Sequence, residues 1–403
     1  MSLASSQQKI FLRLVAALRP HWRRDQNLPG RIQELFAANR AFGSRDRRLY
    51  RELLYTTLRY LPWVDPLLDS DPDRAAQSVA WLAADLPATR AYRAELVRDW
   101  PPCPASVAAK AAHLQANLPA LLPEWVVRHC PEAAQPAELD ALHSRASLWL
   151  RLQATDAAAI ASVLAEFTAA GWAFRRSELL PSAVELLTEA DVTRTKSWLQ
   201  GLIEVQDLGS QLILESVGIA PGDRWLDACA GAGGKTLQLA GLLGPRGHVA
   251  ATDIRPAALR ELEIRATRAG LANIAVLAGP ATELYDGVLV DAPCTGSGTW
   301  RRSPHLKWTT TPGQITHAAG VQLGLLAQSA ALVRPGGRLI YATCSLSRME
   351  NEDVVTAFLT QHPGFSPEPF ARTFGFAPHA GGFAILPARH NTDGFFVASL
   401  RRR

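Results

Sequence analysis

Cys294 and Cys344 are the residues whose surroundings point most directly to chemistry. Cys294 lies in Asp291-Ala-Pro-Cys-Thr-Gly-Ser-Gly298 and Cys344 in Tyr341-Ala-Thr-Cys-Ser345. Each thiol follows an apolar run that reads as a strand, and each is followed by a small hydroxyl residue. A thiolate is a strong nucleophile, and two thiols brought to one point can divide the making and breaking of a covalent adduct between them. For either cysteine alone, buried filler is the commoner fate. Two at neighbouring strand ends shift the reading to nucleophilic catalysis. A free thiol ionises only near pH ~8.5, so such a site has to favour the thiolate. Cys103, Cys130 and Cys229 bring the total to five. That odd count, without CxxC spacing or a Cys/His cluster, argues against a disulfide framework and against zinc. No metal is expected.

A glycine-rich segment, Asp227-Ala-Cys-Ala-Gly-Ala-Gly-Gly-Lys-Thr236, supplies the second feature. Its Gly234-Lys235-Thr236 is tempting as a phosphate-binding P-loop. That motif needs a further glycine five residues before Gly234, where Cys229 stands. The GxGxxG of nicotinamide-binding loops fails too, because Gly231 and Gly233 are followed by Thr236 at the third position. What remains is a nucleotide-type loop at a strand-to-helix turn, where glycines let the backbone approach a ligand at a helix N-terminus. Asp253 ends the next strand, where a carboxylate can accept two ribose hydroxyls. Taken alone, the loop indicates an adenosine-containing ligand, or else a tight turn with a helix cap.

Two further segments stand out. Trp300-Arg-Arg-Ser-Pro-His-Leu-Lys-Trp308 interleaves aromatic and basic side chains. Arg301, Arg302 and Lys307 suit phosphate contact and the tryptophans suit stacking on an unstacked base; the alternative is a surface loop with two buried tryptophans. Ser347 and Glu350 have the spacing of a capping box for a helix through Leu359.

These segments need a sheet to carry them. From about residue 205 to 403, strand and helix patterns alternate as in a doubly wound parallel sheet. Strands are expected at 224–228, 248–253, 273–277, 287–291 and 338–342, with an antiparallel pair (382–386, 394–400) on the sheet edge. Parallel strands put the glycine loop and both cysteines on the carboxyl edge, so Cys294 and Cys344 are expected to converge although 50 positions separate them. Residues 121–204 read as a small α/β module with a half-buried strand at 148–152 and a helix at 156–170. Residues 1–120 read as helical, with Ile10, Leu14, Val15 and Leu18 and then Leu49, Leu53, Leu54, Leu58 and Leu61 at helical spacing. Arg45, Arg47, Arg48, Arg51 and Arg59 accompany the second helix, forming either a solvated face or an RNA-binding face.

Composition bounds the rest. The chain is 48% hydrophobic and 20% charged with net charge +5, which fits a globular protein and permits phosphate binding without requiring it. No apolar run approaches the ~20 residues of a membrane span. The first residues lack the basic-then-apolar order of a secretory signal, so a cytoplasmic location, no membrane association and a monomer are expected.

Taken together, these motifs resemble the Sun/RsmB-type family of RNA cytosine-C5 methyltransferases. The likeness runs through Val205-Gln-Asp207, Ser210-Gln211, Asp227–Thr236, Asp291–Gly296, Arg301–Trp308, Tyr341–Ser345, Glu350-Asn-Glu352 and His390–Phe396. It implies a Rossmann-like methyltransferase domain preceded by an RRM-like module and a NusB-like helical domain. It also implies S-adenosylmethionine as methyl donor and RNA, of the small ribosomal subunit, as partner. By the resemblance, Cys344 is the nucleophile and Cys294 the release cysteine. Cys229, Ala230, Gly231, Ala232, Gly233, Gly234, Lys235, Asp253 and Asp291 would line the donor site. Pro293, Arg301, Arg302 and Lys307 would face the substrate. Cytosine explains the need for a thiol: C5 becomes nucleophilic only after something adds to C6. The sequence departs from the family in three places: Gln153 for asparagine, Ala232 for proline, and Gly279-Pro280 for Gly-Asp. The missing aspartate would reach the adenine amino group, and Glu283 is the nearest substitute in sequence. A transfer-RNA substrate and an inactive RNA-binding assembly factor are the alternatives.

Overall fold

The computed structural model describes residues 2–154 and 156–403. The chain divides into two compact units. The first runs to Arg145 and takes back Thr299–Thr311 from far downstream; the second comprises Ala146–Gly298 and Pro312–Arg403. The helical part thus extends beyond the expected boundary at residue 120. Prolines start short helices there, such as Pro119–Leu121 and Pro136–Leu142.

In the first unit the expected apolar stripes are core, except that Ile10 is only partly buried. Phe11, Leu14, Val15 and Leu18 of the helix Leu3–Leu18 are buried with Leu49, Leu53, Leu54 and Leu58 of the helix Ser44–Arg59. Trp22, Trp63 and Trp81 join the same cluster. Arg45, Arg48 and Arg51 stay exposed on the outer face of Ser44–Arg59, whereas Arg59, at its end, is buried.

The second unit contains two sheets. The smaller has the order β2-β3-β1-β4, from β1 (Leu148–Leu152), β2 (Phe174–Arg176), β3 (Ala183–Leu186) and β4 (Ile203–Val205), all pairings antiparallel. The helix Ala157–Ala169 packs Val163 and Phe167 against Leu150 and Leu152 on one face. Trp149, on the other face, belongs to the main core, and its Nε1 donates to the Asn391 carbonyl at 3.0 Å. β1 is therefore covered on both sides, not half-buried as its alternation suggests.

The larger sheet is made of β5 (Arg224–Asp227), β6 (His248–Ala251), β7 (Ile274–Val276), β8 (Tyr285–Asp291), β9 (Val333–Thr343), β10 (Phe365–Pro367), β11 (Gly382–Ile385) and β12 (Phe395–Arg402). Its order is β10-β12-β9-β8-β5-β6-β7, with β11 on β12. β5 to β9 pair in parallel, and β12 runs antiparallel to β9. The expected antiparallel pair exists, but β12 lies inside the sheet and β10 takes the edge beyond it. Strand order reverses at β5, between β6 and β8, which makes a crevice at the carboxyl ends of β5 and β8, where open α/β sheets bind ligands.

No helix among the described residues is long and apolar enough to cross a membrane. No group of His, Cys, Asp and Glu among them is arranged to hold a metal.

Candidate active site

The crevice begins where β5 ends. Asp227 is fully buried; its carboxylate accepts from Thr236 Oγ1 at 2.7 Å and from the Cys229 N–H at 3.3 Å, so it ties the start of the glycine loop to the helix that follows. Burial, then the nearby Asp291 charge, push its pKa up to about 7 against the opposing Thr236 bond. Gly231 and Gly233 adopt φ of +54° and +88°. A Cβ on Gly233 would also meet Leu237 and Leu262 side chains at 2.8 Å. Only glycine fits there. The helix Gly234–Leu243 then starts beneath the loop. Arg265 fixes the loop from outside, donating to the Ala232 carbonyl at 2.6 Å and pairing with buried Glu204 at 2.9 Å.

Asp253 follows β6 as expected. Its carboxylate accepts from the Gly231 N–H at 2.8 Å and from the Arg255 N–H and guanidinium at 2.9–3.0 Å. The Arg255 side-chain bond holds its pKa below the ordinary carboxylate range. Ribose hydroxyls at this carboxylate would have to share it with Arg255. Cys229 points away from nucleophilic work: burial, then the charges of Asp227 and Asp291, push its thiol up to about 12.

The two remaining cysteines meet. β8 delivers Cys294 and β9 delivers Cys344, and their Sγ atoms lie 3.3 Å apart, both half-buried. The hydrogen bond to Cys344, reinforced by burial, pushes the Cys294 thiol well above its usual range. Either sulfur can be the donor in this contact. Beside them Lys235 Nζ pairs with Asp291 Oδ2 at 2.8 Å. Burial opposes that charge, but Asp291, then the nearby Cys344, leave the lysine pKa raised. Lys235 therefore sets a fixed positive charge next to the Cys344 sulfur.

The cysteine loops are closely stapled. Gly298 N donates to the Cys344 carbonyl at 3.0 Å, and Gly394 N donates to the Gly298 carbonyl at 2.8 Å. A Cβ on Gly298 would meet the Gly394 carbonyl oxygen at 2.1 Å, so this backbone contact requires glycine. Ser297 and Ser345 hydroxyls lie 3.0 Å apart, and Ser297 Oγ accepts from Leu346 N at 2.8 Å. Pro293 is exposed, and its carbonyl accepts from Gln322 at 3.0 Å.

Three expectations need correction. Glu350 does not cap a helix: it closes a short turn, Arg348–Glu350, and its carboxylate faces the cysteine loops. Sequence spacing could not show this, because its partners are remote in the chain. Glu283 does not stand in for the missing aspartate. It pairs with Arg224, the first residue of β5, and so sits at the sheet edge opposite the glycine loop. Finally, Arg301 and Lys307 are not surface phosphate ligands. Their segment is folded into the helical unit, where both are buried. Lys307 Nζ lies 2.7 Å from His143 Nε2 and donates to the Arg59 carbonyl at 3.2 Å. Arg301 donates to the Arg145 carbonyl at 3.1 Å, and Trp308 Nε1 to the Leu58 carbonyl at 2.6 Å. Burial, then the neighbouring Arg59 charge, hold the lysine well below its ordinary pKa. Arg302 alone of the three cations is exposed.

Comparison with known proteins bears on this geometry. A family model described as 16S rRNA methyltransferase RsmB/F matches residues 215–401. A probable ribosomal RNA small subunit methyltransferase B of Bacillus subtilis is 32% identical over 307 residues, 70% of this chain and 66% of its own length. The chain thus spans just under two thirds of that relative. The ribosomal RNA small subunit methyltransferase B of Vibrio vulnificus is 28% identical over 90% of this chain and 93% of its own. Among solved structures, a methyltransferase homologue from Pyrococcus horikoshii aligns with a TM-score of 0.60 at 25% identity, over 73% of this chain and 98% of its own.

Proposed function

Since this chain belongs to the RsmB/F methyltransferase family, we propose that it transfers a methyl group from S-adenosylmethionine to C5 of a cytosine in RNA, with small-subunit ribosomal RNA as the substrate. The donor site is formed by Cys229–Lys235, Asp253 and Asp291. The fit rests on two left-handed glycines that leave the loop backbone bare and on a carboxylate after β6, the features an adenosine group needs at this turn. Bound there, the sulfonium supplies an electrophilic methyl group.

The chain's own residues do the rest. The Cys344 sulfur adds to C6 of the base, and the C5–C6 double-bond electrons become available at C5, which takes the methyl group. A base then removes the C5 proton, the double bond re-forms, and the S–C6 bond breaks to return Cys344. Cys294, whose sulfur lies 3.3 Å from that of Cys344, is placed to serve this release. Lys235 steadies the anionic sulfur, and Asp291 orients Lys235. The observation that carries this reading is the 3.3 Å approach of the two sulfurs beside the Lys235–Asp291 pair, on the edge that bears the glycine loop.

Pro280 favours a second reading, an RNA-binding factor without catalysis, since Glu283 does not replace the carboxylate that the resemblance implies at that turn. One experiment separates them. The protein is incubated with 16S rRNA and methyl-tritiated donor, and the RNA is digested to nucleosides. Label in 5-methylcytidine is expected. Label elsewhere, or none at millimolar donor, contradicts the proposal.

A further inference from the structure

Glu350 lies outside both cysteine segments, yet it is the residue that joins them. Its side chain is fully buried. Oε1 accepts the Thr295 N–H at 2.8 Å and the Gln322 amide at 3.1 Å. Oε2 accepts the Thr295 hydroxyl at 2.5 Å and the Ser345 hydroxyl at 2.6 Å. Thr295 directly follows Cys294, and Ser345 directly follows Cys344. One rigid, planar group therefore grips the residue next to each sulfur.

The surroundings hold that group still. Tyr341 Oη donates to the Glu350 carbonyl at 2.5 Å, and Asn351 Nδ2 donates to the Ser345 carbonyl at 2.9 Å. Gln322, besides binding Glu350, donates to the carbonyl of Pro293, the residue before Cys294. Burying a carboxylate without a cation is costly unless every acceptor position is filled. Four donors fill them here, and none is a basic side chain. A helix cap would need only one of these bonds. The carboxylate is directed instead at the two loops whose sulfurs must meet.

We propose that Glu350 is a positioning residue that sets the separation of Cys294 and Cys344, and with it both the addition and the release step. This claim rests on the methyltransferase reading for its consequence, but its geometry can be tested without turnover. In Glu350→Ala, the Thr295 N–H, two hydroxyls and the Gln322 amide lose their shared acceptor, and the two loops are free to separate. Turnover is expected to fall on the order of 100-fold, as misplacement of reacting groups by about 1 Å commonly costs. Donor affinity is expected to stay at the wild-type value, because the Glu350 carboxylate bonds to Thr295, Gln322 and Ser345 and not to the loop Cys229–Lys235. Glu350→Gln, which keeps the length and one acceptor oxygen, should recover part of the activity.

The deciding measurement is the rate at which diamide links Cys294 to Cys344, followed by peptide mass spectrometry in the full-length protein. Wild type should cross-link readily from 3.3 Å. Glu350→Ala should do so slower by tenfold or more, on the order expected for lost preorganisation, with Glu350→Gln between them. A folded Glu350→Ala variant that cross-links at the wild-type rate overturns the proposal, whatever its activity. Should that variant not fold, Thr295→Val removes one hydroxyl donor and has to slow the link; a wild-type rate there overturns it equally. Slowed cross-linking in a protein that methylates no RNA upholds the positioning role and rejects the functional reading instead.

Discussion

Residues 291–298 and 299–311 are adjacent in the chain and have opposite fates. Both look like functional motifs. The first carries its thiol to the carboxyl edge of the large sheet, half-buried and 3.3 Å from a second thiol. The second folds into the helical unit, where its conspicuous cations are enclosed by backbone carbonyls and by His143. The difference lies in what each segment meets. Cys294 follows a strand whose neighbours are set by the sheet, so its surroundings can be reasoned from topology. Lys307 meets Arg59 and His143, and Arg301 meets Arg145; no pattern within the segment encodes those partners. A basic, aromatic composition describes a nucleic-acid surface and a hydrogen-bonded plug equally well.

Three changes test that contrast. The largest effect is expected on the helix Ser44–Arg59, where Arg45, Arg48 and Arg51 are exposed. If RNA contact falls here instead of on 301–307, replacing all three by glutamate weakens RNA binding by at least about tenfold. It should also flatten the salt dependence by roughly 2 in log–log slope. Filter binding across salt concentrations reads both, and an unchanged slope would place the contact elsewhere.

Next comes Asp227, under the glycine loop. Its folded pKa, about 7, stands above the ordinary carboxylate value, so the folded state holds the proton more tightly than the unfolded chain. The stability this gives is fully present below the unfolded pKa and is lost as pH rises through about 7. Urea titrations between pH 4 and 8 should show wild type losing stability relative to Asp227→Asn over that window; parallel curves would contradict it. The smallest effect belongs to Lys307→Met. Lys307 is buried and bonded within the helical unit to the Arg59 carbonyl and to His143, so its replacement removes no phosphate contact. RNA affinity and its salt slope should not change, whereas loss of a true phosphate contact would lower the slope by about 0.7–0.9.

The sheet was legible because its strands are apolar runs that end on glycine, aspartate or cysteine. Parallel topology then brings those ends together, as at Asp227, Asp253, Cys294 and Cys344. The short β10, Phe365–Pro367, carries too few residues to show a period. Glu350 was misread because local spacing from Ser347 imitates a helix cap, while its actual partners Thr295 and Gln322 lie 55 and 28 positions away. Glu283 was similarly opaque: nearness in sequence to Pro280 said nothing about Arg224, which claims it at the other edge of the sheet. What sequence missed, in each case, is a side-chain partner supplied by a distant element.

Covalent capture of RNA examines the paired thiols most directly. Wild type, Cys344→Ala and Cys294→Ala are incubated with substrate RNA and methyl donor, then resolved on a denaturing gel that retains protein–RNA adducts. The Cys294→Ala lane should accumulate an adduct and the Cys344→Ala lane should show neither adduct nor methylated product. Turnover by Cys344→Ala, or an adduct that persists without that sulfur, would contradict the assignment.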